Sequence, residues 1–248
     1  MYAPAAVAPA ASPLVPIARD LVRAVEGLSF APPVAYVYDP LVYAWAPHEA
    51  YLERYGREPR EVLLVGMNPG PFGMAQSGVP FGDVVLVKDW LGIAAPVGRP
   101  PREHAKRPVH GFACARREVS GTRLWGWARD RFGTPERFFE RFFVANWCPL
   151  AFLDEGGANR TPDKLPARER LPLEVACDRA LRAVAQALEV ERVVGVGAFA
   201  AARARIACAG LDVRIDAVPH PSPASPAANR GWAAAAEAAF ERAGIRLP

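Results

Sequence analysis

Four short strand-like segments set the plan of the chain: Val62-Leu63-Leu64-Val65-Gly66-Met67, Phe142-Phe143-Val144-Ala145-Asn146, Arg192-Val193-Val194-Gly195-Val196 and Val213-Arg214-Ile215-Asp216-Ala217-Val218. The first is a continuous apolar run, bounded by charge before and Gly/Pro after, which suits a strand buried on both faces. Helical spacing fills the segments between them. Ile17, Leu21, Val25 and Leu28 mark a helix from about Pro16 to Glu26, which Gly27 can end. A short helix is expected after Pro47, holding Glu49, Tyr51 and Leu52. Thr134-Pro135-Glu136 joins an N-cap to a proline at the first helical position. Pro172 is expected to open a longer helix with Leu173, Cys177, Leu181, Val184 and Leu188 on one stripe. A helix from Ala198 to about Ala209 closes at Gly210, and an Ala-rich helix over about 229–243 stops at Gly244. Residues 68–82 read as a long Gly/Pro loop. Strands alternating with helices predict an α/β fold: an open parallel sheet with helices on both faces and right-handed crossovers.

The 248 residues, 51% hydrophobic and 23% charged, supply one sizeable core. Residues 1–15, Ala/Pro-rich, are expected to form a flexible arm, and 16–248 a single domain. The arm has neither the basic stretch nor the apolar run of a signal peptide, and no run reaches the length of a membrane span. The net charge of +4 permits an anionic partner without demanding one. Its distribution says more. Residues 99–131 hold nine basic side chains (Arg99, Arg102, Lys106, Arg107, Arg116, Arg117, Arg123, Arg129 and Arg131) against Glu103, Glu118 and Asp130, a surplus of six that exceeds the whole chain's. Such a segment is either a phosphate-binding face or a solvated one. Cys114, Cys148, Cys177 and Cys208 lack zinc-site spacing and read as small buried hydrophobes in a reduced compartment. The Ala/Arg/Pro-rich usage suggests a GC-rich bacterial genome, and the cysteine usage a cytoplasmic protein.

In open parallel sheets, ligands bind outside the carboxyl ends of the strands. The loops there begin at Asn68, Asn146, Gly197 and His220. Asn68 is a turn former or a donor–acceptor pair facing a ligand. Asn146 either completes a turn before Pro149 or reads the amide-like edge of a nucleobase. His220, between Pro219 and Pro221, is a structural imidazole or one aimed at a developing oxyanion. Phe72 and Phe81 sit on a loop, where an aromatic staples the loop down or stacks on a flat base. Gly195-Val196-Gly197-Ala198-Phe199-Ala200 matches a dinucleotide fingerprint, but it lies on the third strand with no acidic residue ending the next. Tight strand–helix packing is the favoured reading.

Two motifs then act together. Gly66-Met67-Asn68-Pro69-Gly70-Pro71-Phe72-Gly73-Met74-Ala75-Gln76, with Gly78-Val79-Pro80-Phe81-Gly82, closely resembles the first motif of the single-strand-selective monofunctional uracil-DNA glycosylases. His220-Pro221-Ser222-Pro223, followed by Asn229-Arg230-Gly231-Trp232, resembles their second. The similarity extends through Asn146-Trp147-Cys148-Pro149-Leu150 and covers roughly residues 30–243. It implies the uracil-DNA glycosylase fold, a three-layer α/β/α sandwich around a four-stranded parallel sheet. It implies that Asn68 positions the hydrolytic water, that His220 stabilises charge on uracil O2, that Phe81 stacks on the flipped base and that Asn146 bonds its pairing edge. Met67 and Gly70 would also contact the base. A wedge loop of Pro221, Ser222, Pro223, Ala224, Asn229 and Arg230 would enter DNA. Strict uracil enzymes carry Tyr where Gly70 stands, so 5-hydroxymethyluracil and related oxidised bases should be tolerated. Family members often have Arg where this chain has Ala224, which weakens the expectation for duplex DNA more than for single strands.

The resemblance thus implies a metal-independent, cofactor-free monofunctional hydrolase, a monomer acting on uracil in single- and double-stranded DNA. The alternatives are a mismatch or deaminated-purine (xanthine, hypoxanthine) glycosylase of the same superfamily, an NAD-dependent oxidoreductase built on Gly195–Gly197, and a silent damage binder. Base panels, nicotinamide binding and base release separate them.

Overall fold

Each of the four segments is a strand in the computed structural model, which describes residues 11–248. The strands in chain order are β1 (Tyr36–Tyr38), β2 (Val62–Gly66), β3 (Phe142–Asn146), β4 (Ala151–Leu153), β5 (Asn159–Arg160), β6 (Arg192–Val196) and β7 (Arg214–Val218). The α-helices are α1 (Leu14–Val25), α2 (Pro40–Tyr43), α3 (Trp45–Tyr55), α4 (Met74–Ser77), α5 (Val84–Asp89), α6 (Val119–Phe132), α7 (Pro135–Phe139), α8 (Ala167–Ala187), α9 (Ala198–Ala207), α10 (Pro226–Asn229) and α11 (Trp232–Arg242).

The main sheet is parallel, in the order β3-β2-β6-β7. Its register pairs Gly66 with Asn146, Val65 with Gly195, and Val196 with Val218. All five β2 residues are buried, as the unbroken apolar run requires. Phe142 and Phe143 show the two covered faces. Phe142 packs on Trp127, Phe132 and Phe240 of α6 and α11, while Phe143 packs on Tyr51 of α3. Tyr51 is fully buried, and its hydroxyl donates to Val144 O at 2.8 Å, so the polar tip is satisfied inside the core. The chain leaves β2 for β3 on one side and reaches β6 on the other. The strand order therefore reverses at β2, which puts a crevice at its carboxyl end.

Several boundaries differ from the sequence expectation. The first helix starts at Leu14, and Ser12 Oγ donates to Gly56 O at 2.7 Å, so the described end of the expected arm is docked. The rest of the arm, residues 1–10, lies outside the described residues. Helix α8 opens at Ala167, ahead of Pro172, which stands inside it. An interior proline removes one hydrogen bond, and the buried stripe of Leu173, Cys177 and Leu181 holds the helix beyond that defect. The expected 229–243 helix is α11, which starts at Trp232 because Gly231 (φ +123°) separates it from the short α10 ahead of it. Strands β1, β4 and β5 form a separate antiparallel sheet that the sequence reading missed. With three, three and two residues they are too short to show an alternation. Helix α4 likewise lies within the expected 68–82 loop. The fingerprint glycine Gly195 serves packing, since a Cβ there would overlap the Ala201 backbone. No helix among the described residues is long and apolar enough to cross a membrane.

Candidate active site

The carboxyl end of the sheet opens into a cleft of ≈ 510 Å³. Met67, Asn68, Gly70, Phe81, Asn146, His220, Ser222, Pro223 and Ala224 all line it, so residues spread over more than 150 positions of sequence meet in one place. The other three expected contacts stand apart from it. Pro221 is buried, while Asn229 and Arg230 are exposed at the end of α10.

Asn68 lies two residues past the end of β2. Its side-chain Nδ2 donates to Leu150 O at 3.1 Å, which anchors the amide nitrogen and leaves Oδ1 as an acceptor for a water. Asn146 ends β3 beside Gly66, its register partner. Its Nδ2 lies 3.2 Å from Met74 Sδ, a weak acceptor, so the amide keeps capacity for a ligand edge.

Phe81 takes a left-handed backbone, φ +54°, an uncommon conformation for a bulky residue. The surroundings impose it. Trp125 Nε1 donates to Pro80 O at 3.1 Å, Asp83 N donates to Phe81 O at 2.8 Å, and Gly121 of α6 presses on the Phe81 carbonyl. The ring lies so close to β2 that a Cβ on Gly66 would stand 2.6 Å from its edge. Strain held by over-determined packing is common at ligand sites.

His220 follows β7 and must lean across β6 to reach this group. Gly197, just past β6, leaves room for it, because a Cβ there would crowd His220 Cβ at 3.3 Å. The rings of His220 and Phe81 have centroids 6.3 Å apart. Ser222 N–H donates to His220 Nδ1 at 3.1 Å. A backbone N–H can only donate, so Nδ1 carries the lone pair and the proton of the neutral ring sits on Nε2. Burial also pushes the imidazole below its ordinary range, favouring the neutral form. The site thus holds a neutral imidazole with Nε2–H as its one donor.

Sequence reasoning missed Glu118. It caps α6 through Ser120 N–H and lines the cleft, with Oε2 2.8 Å from where a Cβ on Gly70 would stand. Burial raises its carboxyl above the ordinary range. The only sequence signal was one acid in a basic stretch. Asn159 and Thr161, after the small sheet, complete the rim. Among the described residues, no three His, Cys, Asp or Glu side chains gather as a metal site, and all four cysteines are free thiols in buried positions.

The basic segment divides. Arg117 Nε donates to the fully buried Asp83 at 2.6 Å, and Asp83 also accepts from Thr122 Oγ1 and caps α5. Arg99, Arg129 and Arg131 pair with Glu103, Asp130 and Glu237. Arg102, Lys106, Arg107, Arg116 and Arg123 have no carboxylate partner among the described residues. Arg116 and Arg107 sit 4.1 and 5.3 Å from the ring of Phe72, beside the cleft.

Comparison with known proteins agrees with this geometry. Residues 53–243 match the uracil DNA glycosylase superfamily. A single-strand selective monofunctional uracil DNA glycosylase of Mus musculus is 52% identical over 220 residues, covering 88% of this chain and 79% of the mouse protein. One from Rattus norvegicus is 48% identical over 250 residues, covering 96% and 90%. The crystal structure of wild-type SMUG2 of Pedobacter heparinus is 18% identical, covers 92% of this chain and 94% of its own with a TM-score of 0.59, and shares the fold. The match over most of the chain, at about half identity, places this protein in the uracil DNA glycosylase superfamily, among its single-strand selective monofunctional members.

Proposed function

We propose that the chain hydrolyses the N-glycosidic bond of uracil in DNA and leaves an abasic site. The observation that carries this reading is the cleft that unites Asn68, Phe81, Asn146 and a neutral, Nε2-protonated His220. Breaking the bond to C1′ sends its electron pair into the base, which leaves as a delocalised anion. His220 Nε2–H donates to O2, where that charge develops, and needs no reorganisation to do so. Asn68 Oδ1 accepts from the water that adds to C1′, with Leu150 O holding the amide in place. Phe81 stacks on the base and Asn146 bonds its pairing edge. No lysine lines the cleft, which supports hydrolysis over Schiff-base chemistry. Gly70 brings no side chain to crowd the C5 substituent, which supports acceptance of 5-hydroxymethyluracil and related oxidised pyrimidines, and Glu118 Oε2 bounds the gap it leaves.

The loop 221–230 is proposed to wedge into DNA, offsetting a flipping cost of a few kcal/mol. With small Ala224 on its exposed tip, single strands are the better substrate, duplexes the poorer. Arg102, Lys106, Arg107 and Arg116 are proposed to meet the phosphates flanking the flipped base. Since one chain supplies the whole cleft, the enzyme is proposed to act as a monomer. The Ala/Arg/Pro-rich composition supports a bacterial cytoplasm, at the nucleoid, as its location.

The test is alkali-induced cleavage of a single-stranded oligonucleotide carrying one uracil, with EDTA present. Strand breaks only after alkali are expected for the wild type. Asn68→Ala is expected to lose most turnover while keeping DNA affinity. An intact wild-type strand would overturn the activity, and full turnover in the variant would overturn the role of Asn68.

A further inference from the structure

His220 stands in a loop between β7 and α10, and its ring has a defined tautomer. The ties that hold it come from outside the loop. Trp232 Nε1 donates to Pro219 O at 2.7 Å, on the chain just before His220. Arg123, on α6, donates through one terminal nitrogen to Pro221 O at 2.7 Å, just after His220. Its other terminal nitrogen donates to Asn229 Oδ1 at 3.1 Å, and Asn229 Nδ2 returns a bond to Pro223 O at 2.7 Å. The guanidinium therefore joins both ends of the 221–229 loop and grips the carbonyl adjoining the imidazole. It has no carboxylate partner among the described residues, so its charge serves these two neutral acceptors, the strong kind of hydrogen bond.

The element that carries Arg123 is itself fixed. Trp127 Nε1 and Arg131 both bond Glu237 of α11, and the Trp127 ring stacks on Phe240 at 5.4 Å. The same helix presses Gly121 on Phe81 and sets Glu118 in the cleft wall. Helix α6 is thus a strut between the two loops that must act on one base.

We propose that Arg123 is a positioning residue for His220: its guanidinium pins the 220–223 turn in which Nδ1 accepts from Ser222 N–H, and so keeps Nε2–H aimed into the cleft. This rests on the proposed base excision for its consequence, but not for its geometry. The competing role, suggested by the basic segment, is a direct phosphate contact. Each terminal nitrogen of Arg123 already commits one N–H within the protein, which fixes the side chain at the loop and favours the positioning role.

The experiment uses the full chain as wild type, R123Q and R123K, with folding checked by thermal unfolding. Three readings are taken: ring ¹⁵N shifts of His220 without DNA, single-turnover uracil release, and the affinity for an abasic-analogue oligonucleotide against salt. In R123Q the single Nε2–H tautomer is expected to give way to a tautomer mixture. Release should slow by ~10²-fold, as for a misplacement near 1 Å, with affinity and salt slope unchanged. R123K keeps the stem and charge, so it folds, but one ammonium cannot span both acceptors, and about tenfold slowing is expected. An R123Q salt slope smaller by about 0.7 with release unchanged would make Arg123 a phosphate contact and overturn the proposal. An unchanged His220 tautomer in R123Q would overturn it too. The tautomer reading needs no DNA, so an inactive wild type would sink the activity without deciding the clamp.

Discussion

Helix α6 contains two glycines five residues apart, and the structure assigns them opposite responses to the same substitution. A Cβ on Gly121 would stand 2.0 Å from Phe81 O and 2.9 Å from Asp83 N, both backbone atoms. Ordinary contact for a Cβ begins near 3.4 Å, so the Phe81 carbonyl must retreat by 3.4 − 2.0 = 1.4 Å. The turn cannot yield freely, because Pro80 O holds Trp125 Nε1 and Asp83 caps α5. Overpacking of this kind costs about 1–3 kcal/mol, and each hydrogen bond broken adds roughly 1 kcal/mol. Gly121→Ala should therefore lose about 2–4 kcal/mol of stability, and a Phe81 ring displaced by more than 1 Å should slow base release by ~10²-fold. Gly126 meets nothing within 4 Å, so Gly126→Ala should instead stabilise by about 1 kcal/mol through helix propensity alone. Urea unfolding measures the two stabilities, and single-turnover uracil release from a single-stranded oligonucleotide measures the site. A Gly121→Ala protein with wild-type stability and a release rate within threefold of wild type would refute the reasoning. So would equal effects at the two positions, because the difference rests wholly on what each Cβ would meet.

Other expectations are as specific. His220→Leu should slow release by ~10²–10³-fold, the range for loss of one oxyanion donor, and a loss under threefold would count against that role. Arg116→Gln should reduce the slope of log affinity against log salt by about 0.7 on single strands, whereas Arg117→Gln should leave the slope alone and lower stability, because it strands the buried Asp83. For pH, His48 is buried and pushed down to about 4 chiefly by burial, against 6.5 unfolded, so its contribution is full above 6.5 and lost as pH falls toward 4. Asp39, raised by burial to about 6 from 3.8, contributes in the opposite sense, fully below 3.8 and lost as pH rises through 6. The two oppose each other, so Asp39→Asn should steepen the loss of stability on acidification by exposing the His48 contribution, about 3 kcal/mol between pH 6.5 and 4; denaturant titration of wild type and variant at several pH values reads it, and identical profiles would refute it.

Much of this architecture was legible in one dimension because its causes are local. A strand buried on both faces must be apolar throughout, so β2 announced itself, while β3, β6 and β7 showed as short β-prone segments between helices. Thr134 and Pro135 start α7 by bonding and dihedral preference within one turn, and Thr134 accepts from Arg137 N–H as expected. The parallel order followed from alternation, and the site's location followed from where parallel strands end. The dense Gly/Pro/Asn and His-Pro-Ser-Pro motifs were visible as letters, because backbone shape there is written in residue type.

What the sequence could not decide depends on distance in space. The reversal of strand order at β2 brings His220, at one edge of the sheet, toward Asn146 at the other, and a single missing Cβ at Gly197 lets the imidazole cross. The tautomer of His220 rests on one backbone N–H two residues away, a bond that no letter encodes. Charge counting ranked Arg116, Arg117 and Arg123 alike, yet one faces Phe72, one neutralises a buried aspartate and one holds the His220 loop. Glu118 was a subtraction from a positive total until folding set it in the cleft wall. Local sequence thus determined the elements and the loops that carry the chemistry, because hydrophobic period and backbone preference act within a few residues. Only the tertiary structure decided which polar group each side chain meets, because hydrogen bonds and burial are set by neighbours brought together from distant parts of the chain.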